Sequence, residues 1–244
     1  MFYFPLLWVS PVFYQMAVYV LAAVLPAAFL MRYVYRQDTI EKEPVYLLRS
    51  LVGMGILAAL ASIVLEWIGQ ILLDITVDAN DPRYLYIMAF LVVAVIEEGT
   101  KFFFLYRRTW NDPNFNFRFD GIVYAVFVSL GYAAFENVKY VFSYGLSVAL
   151  PRAILAIPGH MGFAVFMGVF YGRARLCADL EDKAGTVRNL AVGYLLAVLL
   201  HGFYDSCCMV GTNQSTAVFV VFVIVMYLVV FRLIKHESRT NAPV

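Results

Sequence analysis

Seven apolar runs, each close to the length of a membrane-crossing helix, limit this chain more than any other feature. They lie at roughly 10–31, 45–68, 84–106, 119–142, 153–173, 189–209 and 214–234, and a helix needs about 20 apolar residues to cross a bilayer. The segments between them, such as "RQDTIEKEP", "DANDP", "NDPNFN" and "DLEDKAG", carry turn and breaker residues. None is long enough to form a soluble domain. Residues 1–244 are therefore expected to form one all-α, polytopic transmembrane bundle of about seven spans. Composition agrees: 63% of residues are hydrophobic and 14% charged, against about half and a quarter in soluble domains.

A net charge of +1 offers nothing for nucleic acid to bind. The three cysteines make neither a disulfide framework nor a paired CxxC metal motif. The first basic residue is Arg32, so no basic segment precedes the first run, which is expected to stay as an anchor. Lys and Arg also predict orientation. Segments following spans 1, 3, 5 and 7 hold fourteen of them, and the opposite side holds only Arg83, Lys139 and Arg152. By the positive-inside rule this predicts a multi-pass cell-membrane protein with its N-terminus outside and its C-terminus in the cytoplasm.

The spans are not uniformly apolar. "VIEEGTKFFFLY" puts Glu97, Glu98 and Lys101 inside the third, Glu136 and Asn137 stand in the fourth, His160 in the fifth, and His201 and Asp205 in the sixth. Ionisable residues at membrane depth cost about 2.5–3.5 kcal/mol each on insertion scales, so they normally face protein or a water-filled cavity. At 1.5 Å per residue, His160 and His201 lie about 12 Å from one face, Glu136 a little nearer it, and the two glutamates roughly 20 Å. All five can border one cavity. Lys101 follows Glu97 by four residues and Glu98 by three, so it can reach either carboxylate. The two glutamates point about 100° apart on their helix, so one is expected to be the working group and the other to be held by the lysine. His201 and Asp205 are likewise four apart.

Bland readings exist for each member. Glu97, Glu98 and Lys101 also make a structural ion pair, and His201 with Asp205 an interhelical hydrogen bond. Glu66 is expected at the interface, with no role. Pro158-Gly159 should weaken the helix before His160 and free backbone carbonyls. Gly168 and Gly172 should allow close helix packing.

Five segments in order, "DTIEKEP", "EEGTK", "DGIVYAVFVSLGYAAFENVKY", "PGHMGFAVFMGVFYG" and "HGFYD", resemble the signature segments of the PrsW family of intramembrane proteases. They are more distantly similar to the type II CAAX prenyl endopeptidases. The resemblance runs from about residue 36 to 206. It implies a membrane-embedded endopeptidase with Glu97, Glu98, Glu136, His160 and His201 as catalytic positions. It further implies a single-span membrane protein as substrate, cleaved near the outer face, with an anti-sigma factor as the example. Glu136 stands where the CAAX enzymes carry a histidine, which sets the chain apart from enzymes of prenylated peptides.

Peptide hydrolysis needs a base for water, an acid for the departing amine and donors for the oxyanion. The expected assignment is Glu97 or Glu98 as base, His160 holding the water, and His201, supported by Asp205, donating to the oxyanion. Glu136 and Asn137 then position water or substrate backbone. Neither GxSxG nor HExxH occurs. Two histidines with carboxylates also suit zinc, but Lys101 would compete with a metal for Glu97 and Glu98, so a cofactor-free reaction is expected. The competing classes are a proton- or cation-coupled transporter, in which the same residues form a relay, and a non-catalytic scaffold. Cleavage of a transmembrane peptide by purified protein separates them from a protease.

Overall fold

A computed structural model describes residues 11–244. Position 10, where the first expected span begins, lies outside the described residues. The order is α1 (Pro11–Gln37), α2 (Val45–Thr76), α3 (Tyr84–Ile87), a π-helical stretch (Met88–Ala94), α4 (Val95–Thr109), α5 (Asp120–Tyr144), a short 3-10 turn, α6 (Ala149–Ile154), α7 (Ala156–Asp179), α8 (Lys183–Val210) and α9 (Asn213–Arg239). No strand forms among the described residues; one isolated bridge, Phe117 to Pro243, ties the C-terminal segment to the loop before α5. The all-α bundle is as expected.

Among the described residues, six helical segments are long and apolar enough to cross a membrane. The remaining passage, from α3 through the π stretch into α4, is the one that carries Glu97, Glu98 and Lys101, and those charges set it apart. Helix ends follow local chemistry. Asp182 and Thr212 cap α8 and α9 by accepting from Gly185 and Ser215 backbone N–H groups at 2.9 and 3.1 Å. Gly145 and Gly211, both at positive φ, close α5 and α8.

α5 is the central helix, buried along most of its length against α1, α2 and α7. Lipid-soluble helices gain little from burying Leu against Leu, so they associate where small residues let backbones approach. A Cβ on Gly55 of α2 would meet the Val128 carbonyl oxygen of α5 at 2.1 Å, and one on Gly131 would meet Val52 O at 2.6 Å. Gly168 and Gly172 of α7 do the same against Gly121 and Arg118, the close packing expected of them. On the outside, residues such as Leu57, Leu60 and Val64 of α2 and Val221, Ile224 and Leu228 of α9 stay exposed, as suits a surface solvated by lipid.

The fifth expected span departs from a single helix. It breaks at Leu155, between α6 and α7. Pro158 sits in the first turn of α7, where a missing N–H is best tolerated. Its absent bond releases the Ile154 carbonyl, and Tyr227 of α9 donates its hydroxyl there at 2.9 Å and to Leu155 O at 2.8 Å. The freed Ile154 carbonyl is thus satisfied by a side chain from another helix.

Candidate active site

The π-helical stretch ends one residue before the Val-Ile-Glu-Glu sequence. A π turn takes up an extra residue, so it resets which residues of the following helix face inward. It is wedged against α8, where a Cβ on Gly202 would strike the Phe90 ring at 2.3 Å. This contact brings α4 and α8 close enough for their polar side chains to meet.

From there one connected chain of polar contacts crosses four helices. Lys101 Nζ donates to Glu97 Oε2 at 3.0 Å and Glu98 Oε1 at 2.8 Å, and lies 3.2 Å from His160 Nδ1 on α7. His160 Nε2 is 3.2 Å from Glu136 Oε2 on α5. His201 Nδ1 on α8 is 2.9 Å from Glu98 Oε1, and its Nε2 is 3.3 Å from Asp205 Oδ2. Lys101 also lies 4.1 Å from the centroid of the Tyr132 ring, a cation–π contact that holds the ammonium from its free side. Glu97, Glu98, Lys101, His160 and His201 are all buried. Every charged candidate that the sequence nominated is in this one network.

Hydrogen-bond complementarity then sets the protons. An ammonium only donates, so His160 Nδ1 must accept and its proton sits on Nε2, facing Glu136. Both nitrogens of His201 face carboxylates, which only accept, so the doubly protonated imidazole matches its site. Two carboxylates, Glu97 and Glu98, are thereby balanced by Lys101 and His201.

A cavity of about 430 Å³ borders this network, lined by Glu66, Glu97, Glu136, Arg152, His160, His201 and Asp205 among others. Glu97 lines it and Glu98 does not. Glu98 lies behind, fully buried, with Oε2 lacking a partner. The 100° between neighbouring helix positions thus separates the two glutamates, but Lys101 holds both and not only one. Asn137 is turned away from the cavity: its amide donates to Ala23 O at 2.9 Å and its carbonyl accepts from Arg152 Nε at 2.9 Å.

Three charged residues of the cavity, Glu66, Lys139 and Arg152, had no functional assignment from sequence. Glu66 is half-buried and faces the same space as Glu97 and Glu136, because α2 runs eight residues past the end of its expected span. Arg152 donates to Glu136 Oε2 at 2.6 Å. It comes from α6, sixteen residues after Glu136 in a segment whose fold no periodicity announces. The only available signal was its position, as one of three basic residues on the sparsely charged side.

Donor atoms of Glu97, Glu98 and His201 lie within 4.8 Å of one another, a spacing that suits one metal ion. Those donors are engaged, however. Lys101 takes an oxygen of each glutamate, and His201 spends one nitrogen on Glu98 and the other on Asp205. The carboxylate oxygens left over, Glu97 Oε1 and the buried Glu98 Oε2, are too few to hold an ion without a nitrogen from His201. With Lys101 in place, the arrangement does not fit a resident metal.

The chain matches, over residues 43–233, the family described as PrsW family intramembrane metalloprotease. Protease PrsW of Oceanobacillus iheyensis is 29% identical over 220 residues, covering 90% of this chain and 96% of that protein. Protease PrsW of Geobacillus kaustophilus is 30% identical over 184 residues, or 75% and 76% of the two chains. Protease PrsW of Bacillus subtilis is 30% identical over 184 residues, or 75% and 79%. No solved structure matches. The metal named in the family description is at odds with the donor set above.

Proposed function

The chain belongs to the PrsW family of intramembrane proteases, and from that premise we propose that Glu97 is its catalytic base. The substrate in this reading is a single-span membrane protein, an anti-sigma factor being the kind the resemblance implies, cut near the outer face. The observation that carries the assignment is that Glu97 lines the cavity beside His160 and His201 while Glu98 lies behind it.

Water in the cavity gives a proton to Glu97 as its oxygen bonds to the scissile carbonyl carbon. His160, whose Nε2–H faces Glu136 Oε2 at 3.2 Å, shares that hydrogen with the water and so helps hold it. His201 stays on Glu98 through Nδ1 and turns its Nε2–H from Asp205, 3.3 Å away, to the carbonyl oxygen as negative charge develops there. The proton held by Glu97 then passes to the amide nitrogen, the C–N bond breaks, and an acid and an amine leave. Glu98 fixes the His201 ring through Nδ1, and Lys101 holds the Glu97 carboxyl in place through Oε2. No step uses a metal, because Lys101 already supplies the positive charge between the glutamates.

The outer-face site rests on the Lys/Arg asymmetry, since the cavity opens at the end of the bundle where α5 and α8 finish and Arg83, Lys139 and Arg152 lie. The test is mass spectrometry of a single-span substrate incubated with purified wild type and with Glu97→Gln. Defined fragments from the wild type alone support the reading. Fragments from both remove Glu97 as base.

A further inference from the structure

We propose that Arg152 is a positioning residue of the reaction: it fixes the Glu136 carboxylate and, through it, the tautomer of His160. The proposal rests on the protease reading above and deepens it. Arg152 Nη2 donates to Glu136 Oε2 at 2.6 Å, and His160 Nε2 meets the same oxygen at 3.2 Å. One carboxylate oxygen therefore serves both the guanidinium and the imidazole.

The guanidinium has little freedom to leave. Its Nε donates to Asn137 Oδ1 at 2.9 Å, and Asn137 is anchored in turn on Ala23 O of α1. Its Cζ lies 3.8 Å from the Tyr140 ring centroid, a cation–π contact of the kind arginine makes well. Adjacent residues Glu136 and Asn137 thus receive two arms of one planar fork, a geometry that an ammonium cannot copy.

This matters because His160 stands between charges of opposite sign. Lys101 approaches Nδ1 at 3.2 Å, and a second proton there would set two cations against each other. Glu136 is half-buried at the cavity wall, and without Arg152 its carboxylate would lose the guanidinium that balances it. It would relieve itself by drawing a further proton onto the imidazole or onto itself, and either change spoils the arrangement. With a doubly protonated ring, Nδ1 no longer accepts. With a protonated Glu136, Nε2–H loses its acceptor. Arg152 holds the charge on Glu136 steady, so the imidazole keeps one proton and one lone pair, each in a fixed direction. Arg152 need not touch the reacting atoms to do this.

The experiment measures kcat and KM of full-length protein on a single-span substrate for wild type, Arg152→Ala, Arg152→Lys and Glu97→Gln, with Arg152→Ala repeated in added guanidinium chloride at millimolar concentration. Outer partners that orient a working imidazole matter by about 10- to 100-fold in activity. Arg152→Ala should lose that much in kcat with KM within about threefold of wild type, Arg152→Lys should recover part of it, and guanidinium should restore activity to Arg152→Ala alone. Unchanged kcat in Arg152→Ala would overturn the proposal. So would a raised KM with normal kcat, which would make Arg152 a substrate-binding group. A loss that neither lysine nor guanidinium relieves, together with a lowered thermal midpoint, would reduce it to a structural tie. An active Glu97→Gln would sink the assignment of the base instead, and the Arg152 series reports separately from it.

Discussion

His201 Nδ1 on α8 lies 2.9 Å from Glu98 Oε1 on α4, and the glutamate that turns the imidazole does not itself line the cavity. The two adjacent glutamates are thereby given different work. Glu97 faces the space in which a substrate carbonyl and a water must meet. Glu98 shares one oxygen between Lys101 and His201.

This division predicts unequal losses. General-base catalysis contributes about 10²–10⁴-fold, and Glu97→Gln should forfeit a loss of that order because its amide cannot take a proton. Glu98→Gln keeps an acceptor oxygen for Lys101 or His201, so it should retain more activity than Glu97→Gln. The double variant should be little worse than Glu97→Gln, since residues acting as a unit are not additive. Steady-state rates of the three proteins, at equal membrane abundance, check this. A more active Glu97→Gln would exchange the roles.

Helix packing gives a second prediction, with an internal control. Gly55 and Gly53 lie two residues apart on α2. A Cβ at Gly55 meets backbone of α5 at 2.1 Å, whereas one at Gly53 finds nothing within 4 Å. Gly55→Ala should destabilise by about 1–3 kcal/mol through overpacking. Gly53→Ala should be neutral or stabilising by about 0.4–1 kcal/mol, by stiffening the unfolded chain. Thermal midpoints in detergent compare the two, and equal effects would mean that α2 and α5 do not cross at Gly55.

The spans were legible because length and apolarity alone decide which segments can cross a bilayer. The members of the site were legible for the complementary reason: Glu97, Glu98, Lys101, His160 and His201 are costly in lipid unless they meet. Their pairing was not legible beyond the i,i+3 and i,i+4 contacts of Lys101 and of His201 with Asp205. Whether Glu97 or Glu98 faces the cavity depends on the π turn at Met88–Ala94, and the apolar run MAFLVVA carries no mark of it. Glu66 looked interfacial because the expected span ended at residue 68, while α2 continues to Thr76. Arg152 read only as a topological charge, since its partner Glu136 is brought to it by the turn at Gly145 and the break at Leu155.

Orientation yields a third prediction. Positive residues gather on the side that should be cytoplasmic, so Asp78→Cys should be labelled by an impermeant thiol reagent in intact cells and Lys183→Cys should not, both in a background free of Cys177, Cys207 and Cys208. The reverse pattern would invert the chain and move the cavity mouth to the cytoplasmic side.

The loop between α1 and α2 supplies a fourth. Burial, and the charges of Asp120 and Asp38, push the Glu43 carboxyl up to about 8, and burial pushes Asp38 up to about 6. A carboxyl raised in the folded state holds its proton more tightly there than in the unfolded chain. Its stabilising contribution is therefore full below the ordinary carboxylate range and is lost as pH rises through the folded value. Wild type should lose thermal stability between about pH 5 and pH 8. Glu43→Gln, a neutral isostere, should match wild type at the acid end, exceed it at the alkaline end, and show a flatter slope between. A variant less stable than wild type at high pH would mean that the Glu43 charge is compensated by a partner.

The cation between the glutamates is the subject of the last prediction. A metal held by Glu97, Glu98 and His201 would need Lys101 to withdraw from two carboxylate oxygens at 3.0 and 2.8 Å and His201 to give up a nitrogen now facing a carboxylate. Either move leaves a buried charge without its partner, which is strongly unfavourable. Activity of detergent-purified protein should therefore survive prolonged phenanthroline treatment, and elemental analysis should find far less than one zinc per chain. Lys101→Met tests the same point from the other side. Without the ammonium, Glu97 loses its cation and Glu98 keeps His201 alone, and this variant should acquire a zinc affinity that wild type lacks. Loss of wild-type activity on chelation, restored by zinc at near one ion per chain, would place a metal in the reaction and make His201 a ligand instead of an oxyanion donor.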